Sequence, residues 1–508
     1  MKHIHALGAA AAGLLGMAGG ASAQTFTPGN LVVSRSIYQD IGQAAQLQVG
    51  SNLPDSNSGT TPYKAVADGS YPNVFNNNTV DGSFGVTAPI YLDHLTTSGR
   101  FVSSYSVSTD QIVTSFPSKS ELGLNLSTDG TALTFMGYTT APGTLDVSNS
   151  LTPGSSETGN FVTTTPTYRA VFQINADGSS SVTQTSAYSG NNGRNAILDS
   201  VQHQYLTVGN AGNGSGDGTI SVDNGVQSVT PGQNPVTAGT TPVGNYSVTQ
   251  NGYPADKKQT KDNNFRGETI FNNTLYVTKG SGGNGINTVY QVGASGSLPT
   301  GTGNPISILP GFSTTLASSK TSSVLHPFGL FFANATTLYV ADEGNQSTSD
   351  TAANNANAGL EKYSFTAGHW TLDYTLTNGL NLDTPYLVPG LEGALDPATD
   401  GLRNLTGRVN ADGTVSLYAV TSTISSSGDQ GADPNKLVAI SDSLAFTTAS
   451  QSSGETFSTL ESAGYEEVLR GVSFAPQAVP EASSAVGMGL SLLGLMGFFV
   501  RKRVLAAK

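Results

Sequence analysis

The stretch "TTLYVADEG", Thr336–Gly344, alternates apolar and polar residues over the length of one strand and stops on an Asp-Glu-Gly turn signal. A similar pattern returns as "TALTFMGY" (Thr131–Tyr138), "HQYLTVGN" (His203–Asn210), "NTLYVTKG" (Asn273–Gly280) and "VSLYAVTS" (Val415–Ser422). Four of the five follow, after roughly ten residues or fewer, a short Arg- or Gly-bearing segment: "GRNAIL", "FRGETIF", "PFGLFF" and "LTGRV". The strand cores lie roughly 60 to 80 residues apart, too far for one hairpin and about right for a four-stranded sheet with long loops. Such a repeat predicts the blades of a β-propeller, in which each small sheet buries both faces and ring closure removes exposed edges.

Adding "NLVVSRSIY" (Asn30–Tyr38) as an opening strand and "LRGVSFAP" (Leu469–Pro476) as a closing one gives the expectation of an all-β propeller of about seven blades over residues 24–476. The two terminal strands can share a sheet. A right-handed β-helix or a pair of β-sandwiches is the alternative. "NADGS" (Asn175–Ser179) and "NADGT" (Asn410–Thr414) read as hairpin turns, with glycine supplying the positive φ.

Composition agrees with a folded, turn-rich β-structure. Only 11% of the 508 residues are charged, against roughly 25% in ordinary soluble domains, and Gly 61 with abundant Ser, Thr and Asn takes their place. The 19 Tyr and 20 Phe exclude charge-driven disorder. A net charge of -13 is the opposite of a nucleic-acid footprint, and the cluster Lys257, Lys258 and Lys261 is interleaved with Asp256 and Asp262. With no cysteine, disulfides, thiolate metal sites and a cysteine nucleophile are all excluded.

The two ends differ from the body. Residues 1–23 carry Lys2, an apolar run and the small residues Ala21-Ser22-Ala23, the pattern of a secretory signal peptide cut before Gln24. Ala485–Val500 is uncharged for 16 residues, about 24 Å as a helix, and Arg501, Lys502 and Arg503 follow at once. The expectation is a transmembrane helix within 485–508, with the basic tail on the cytoplasmic side and the body on the other. Residues 477–484 connect the body to this segment.

This C-terminal arrangement, Val479-Pro480-Glu481 followed by a short span and a basic tail, resembles the PEP-CTERM sorting signal of Gram-negative bacteria. The resemblance implies processing by an exosortase, membrane anchoring through the C-terminal helix before processing, and release to the cell surface or exopolysaccharide matrix. Ala482 stands where that motif usually has proline. "TPGNLVVSR" (Thr27–Arg35), "APIYLDHLTTSG" (Ala88–Gly99) and "LGLNLSTDGTALTFMGY" (Leu122–Tyr138) also resemble a group of exported bacterial propeller-like proteins, a likeness that assigns no catalytic residue.

Chemistry is sparse. The body holds four histidines, His94, His203, His326 and His369, with no H-E-x-x-H, and it lacks G-x-S-x-G, P-loop and Rossmann patterns. Asp342, Glu343 and Asn345, just after a blade strand and near His326, are candidate ligands for a Ca²⁺ at a propeller channel; Asp217 and Asp223 lie in another oxygen-rich loop. Arg194, Arg266, Arg408 and Arg470 recur near the repeat segments, either ringing the channel for an anion or bracing blade loops. The reading is an exported, non-enzymatic surface or matrix protein with a face for polysaccharide or another protein. The alternative is an extracytoplasmic Ca²⁺-dependent propeller hydrolase of the lactonase or phytase kind.

Overall fold

The computed structural model describes residues 26–38, 85–116, 122–153, 166–210, 225–235, 241–246, 263–319, 324–345, 357–390, 396–425 and 433–478, with a few short stretches between 50 and 76. The recurring strands are all second strands of their sheets. Counted outward from the centre, blade 2 is Asn125–Leu126, Ala132–Tyr138, Arg169–Asn175 and Ser180–Thr185. Blade 3 is Gly193–Asp199, Gln204–Gly209, Val226–Val229 and Thr241–Pro242. Blade 4 runs through Glu268–Phe271, Thr274–Lys279, Thr288–Val292 and Asn304–Ile308, and Gly244–Tyr246 adds a parallel strand at its outer edge. Blade 5 comprises Pro327–Asn334, Thr337–Asp342, Gly359–Thr366 and His369–Leu376; blade 6 comprises Ala398–Val409, Thr414–Ile424, Lys436–Ser443 and Ser458–Ser462.

Blade 1 joins the two ends of the described chain. Its innermost strand is Glu467–Phe474, followed outward by Leu31–Ile37, Ile90–Leu95 and Phe101–Ser106. Leu31 pairs with Phe474 and Ile37 with Glu467 in antiparallel register. The ring therefore has six blades, not the seven expected. "LRGVSFAP" is a first strand and "NLVVSRSIY" a second strand of the same sheet, so counting them separately added a blade.

Each blade is sandwiched, so both faces of its strands must be apolar enough to bury. Thr337–Asp342 is buried along its whole length: Leu338 and Val340 pack toward blade 4 with Val289 and Leu330, while Tyr339 and Ala341 pack toward blade 6 with Leu402 and Leu417. Every junction has such a cluster. Val32 and Leu92 meet Leu133 and Phe135 between blades 1 and 2, and Met136 meets Ala196 and Tyr205 between 2 and 3. Leu206 and Val208 meet Leu275 and Val277 between 3 and 4, and Tyr418 and Val420 meet Leu31 and Val33 between 6 and 1. The core is thus six slabs around an axis.

A second expectation is also corrected. Among the described residues, no helix is long and apolar enough to cross a membrane. The transmembrane helix, the membrane as partner and the inner-membrane stage of localisation therefore find no footing in the structure, nor does the exosortase partnership that rested on them. The segment 485–508 itself, the motif Val479-Pro480-Glu481, the tail Arg501-Lys502-Arg503 and the cleavage residues Ala21, Ala23 and Gln24 lie outside the described residues.

Candidate functional site

The six innermost strands, or the residues just before them, carry one repeated position at which neighbouring blades touch: Gly471, Gly123, Asn195, Gly267, Gly329 and Asn404 in blades 1 to 6. Where asparagine stands, its amide bridges directly. Asn404 Nδ2 donates to the Arg470 carbonyl at 2.7 Å, and Asn195 Nδ2 to the Arg266 carbonyl at 2.5 Å. At Gly471 and Gly267 a hydroxyl from the same blade's second strand takes over. Gly471 N–H donates to Ser34 Oγ, which donates to the Leu122 carbonyl; Gly267 N–H donates to Thr278 Oγ1, which donates to the Phe328 carbonyl. A Cβ at Gly267 would sit 1.9 Å from that Phe328 oxygen, so only glycine admits this contact. These bonds set blade against blade around the channel.

One residue before this level, four of the six blades carry a buried arginine: Arg470, Arg194, Arg266 and Arg403. Arg194 Nη1 donates to the Phe265 carbonyl at 2.9 Å and to the Asn264 side chain. Arg403 Nε donates to Glu343 Oε2 at 3.0 Å, and Arg266 lies 3.6 Å from Glu343 Oε1 on the other side. Arg194, Arg266 and Arg470 are all buried there. Arg408 is not: it lies five residues further along its strand, exposed over the Phe474 ring, and Arg403 holds the repeat position instead. Arg194, Arg266 and Arg403 thus brace one blade against the next.

The calcium candidates do not form a cation site. Glu343 is spanned by two guanidiniums, and Asp342 accepts N–H bonds from His326 at 2.7 Å and Gly344 at 2.9 Å. Asn345 is only half-buried beside them. Such a donor set, with Glu343 paired to arginines and Asp342 taken up by backbone N–H groups, does not fit Ca²⁺, which wants six or more free oxygens. Among the described residues no group of three His, Asp or Glu is placed to hold a metal ion. Asp217 and Asp223 lie outside the described residues. His94, one of the four histidines of the body, is a packing residue: its Nε2 accepts from Asn30 at 3.0 Å, its ring meets Phe26 edge-on, and burial pushes its pKa down.

At the opposite end of the same strands the channel opens into a cavity of about 530 Å³ to which all six blades contribute. Leu124, Ile197, Leu330, Leu405 and Val472 form an apolar throat, and Asn125, Thr269, Asn273, Thr406 and Ser473 stand around it. Among the described lining residues one is ionisable, Glu268. It is buried, and neither carboxyl oxygen has a hydrogen-bond partner among the described residues. Burial holds the carboxyl well above the usual carboxylate range. Sequence reasoning missed it, yet a signal existed. In the repeat alignment its position holds Val472, Leu124, Ala196, Leu330 and Leu405 in the other blades, so the Glu of "FRGETIF" is a charge where the fold elsewhere uses an apolar side chain.

No protein-family model matches the chain, and no curated protein sequence does. Solved structures give distant likenesses. The acylaminoacyl peptidase of Pyrococcus horikoshii is 8% identical over 74% of this chain and 41% of its own, with a TM-score of 0.30. A protein from Lactobacillus plantarum is 10% identical over 87% of this chain and 99% of its own, at 0.31. An ulvan lyase, from a new family of polysaccharide lyases, is 8% identical over 86% of this chain and 96% of its own, at 0.27. The chain spans about two fifths of the length of the first peptidase chains it matches. At these scores the likenesses carry neither a family nor an activity to this chain.

Proposed function

We propose that this protein is a binding module that takes a small organic ligand into the mouth of its channel. The observation that carries the reading is the cavity itself. Its volume of about 530 Å³ lies within the range of small-molecule sites, and its apolar throat with amide and hydroxyl groups around it is the usual division of labour in such pockets. Ligand affinity would come from the throat, orientation from the polar groups. The test is a panel of sugars, short peptides, small amines and aromatic acids, read by thermal shift on the wild type and on Thr406→Trp, which fills the mouth. At least one class should raise the Tm of the wild type and leave the variant unmoved. Shifts of equal size in both proteins, or none from any class, would remove the reading.

One observation favours a second reading, a propeller hydrolase. A carboxyl inside a cavity whose hold on its proton is strengthened by burial is the kind of group a general acid needs. Calcium is no part of this version. Turnover of a glycoside or ester that is lost in Glu268→Gln, with binding retained, would support it; binding without turnover would leave the module.

A further inference from the structure

The fold gives several of its other buried carboxylates charged or hydrogen-bonding partners, and even Glu361, with one oxygen unpartnered among the described residues, accepts from the Tyr363 hydroxyl at 2.9 Å. Glu343 has two arginines, and Asp342 has two backbone N–H groups. Asp442, between blades 5 and 6, accepts from Lys362 at 2.8 Å, from Tyr374 at 2.6 Å and from Tyr339. Asp93 pairs with Arg35 and Ser104. Glu268 has no such provision on either oxygen, although Lys279 and Arg194 stand on strands that flank its own. Lys279 is committed to Asn287 and the Ser281 carbonyl, Arg194 to Asn264 and the Phe265 carbonyl. Asp199, the acidic group on the neighbouring strand of blade 3, accepts the N–H groups of Val201 and Gln202, and blade 5's innermost strand carries no ionisable residue.

A neutral ligand gives no reason for a carboxyl at this position, since leucine or asparagine would serve it at lower cost. An anionic ligand would meet no cation among the described lining residues and would be repelled once the carboxyl ionised. What an isolated carboxyl in an apolar wall recognises is a group that donates hydrogen bonds and brings the missing positive charge. We infer that the channel mouth selects a small molecule carrying a protonated amine on an apolar body, with Glu268 turning into the cavity as its counter-ion. This inference rests on the binding reading above and adds its ligand class. Its proton balance is simple. Burial strengthens the hold of Glu268 on its proton in the free protein; the entering ammonium keeps its own proton, and the proton displaced from the carboxyl passes to solvent, leaving a charge pair shielded by the throat.

Titration calorimetry with phenethylamine and its neutral counterpart phenethyl alcohol tests this, in two buffers of different ionisation enthalpy, on wild type, Glu268→Gln and Thr406→Trp. The amine should bind the wild type at least about tenfold more tightly than the alcohol, with proton release, and Glu268→Gln should erase that preference. Equal affinity for the two probes, or a preference that survives Glu268→Gln, overturns the inference. If the alcohol binds and Thr406→Trp abolishes it, the mouth is still a binding site and only the ligand class fails. If neither probe binds and the wider panel is silent too, both fail.

Discussion

At Gly471 an added methyl would lie 2.4 Å from the Leu122 carbonyl oxygen of the next blade, backbone that has no room to retreat. Gly471→Ala should therefore cost about 1–3 kcal/mol in denaturant unfolding, the usual range for forced overpacking. Gly454→Ala, at an open site, should change stability by less than about 0.5 kcal/mol. The arginines make a similar contrast. Arg403→Met removes one of the two guanidiniums that flank buried Glu343 and should cost about 3 kcal/mol, whereas Arg408→Ala removes one exposed cation–π contact and should cost at most about 1 kcal/mol. Calorimetric melts of the pair separate the repeat arginine from its neighbour. The sequence pointed to Arg408 because "LTGRV" looks like "FRGETIF" once a glycine is matched to a glycine. The true match sets Asn404 against Gly267, and that equivalence exists only because an amide in one blade does what a threonine hydroxyl behind a glycine does in another.

Among the elements, second strands were legible as strands, while the first strands of blades 3 to 6 showed only as short Arg- or Gly-bearing segments ahead of them. A second strand such as Thr337–Asp342 lies between two neighbouring blades and two hydrogen-bonded strands, so its residues must alternate between two apolar interfaces, and the pattern survives in sequence. A first strand is pinned by contacts with the neighbouring blade and the channel. Its residues are chosen singly, which is why Asn125–Leu126 and Glu268–Phe271 share no apolar alternation of the kind the second strands carry. The closing strand misled the blade count because nothing local tells that Phe474 pairs with Leu31. Turns were easier. Asn410–Thr414 closes as expected: Asn410 N–H donates to the Thr414 carbonyl, Asp412 accepts the Thr414 N–H at 3.0 Å, and Gly413 takes φ 83°. Gly413→Ala keeps open space but loses the glycine backbone, and should lower stability by about 1–2 kcal/mol, read by equilibrium denaturation.

For the whole molecule, the buried carboxyls set how stability responds to pH. Burial first, with the charge of Asp93 behind it, pushes Glu461 up to about 7; burial and Asp442 push Glu455 up to about 8. Asp342, Glu361 and Glu268 move the same way, burial leading in each. In the unfolded chain these groups ionise at ordinary carboxylate values, so through the window above them the folded state binds more protons and stability falls as pH rises. His94, lowered by burial, acts in the opposite sense below its ordinary 6.5, but it is one group against five. Asp129, Asp177 and Asp412 are lowered from 3.8 and so act only in more acid solution. The Tm should be several degrees lower at about pH 8 than at about pH 5; a rise over that interval would mean these carboxyls are ionised in the fold. The ring as a class was legible from its repeats. The site was not, because a cavity made of single side chains from six blades has no local motif, and its one charge shows only when the blades are aligned. The most direct test is Glu268→Leu, measured for both stability and amine binding. An unpaired buried carboxyl replaced by an apolar side chain of similar size should raise stability by about 1–3 kcal/mol while phenethylamine binding is lost. A variant that is less stable, or that binds the amine as well as the wild type does, would contradict the account.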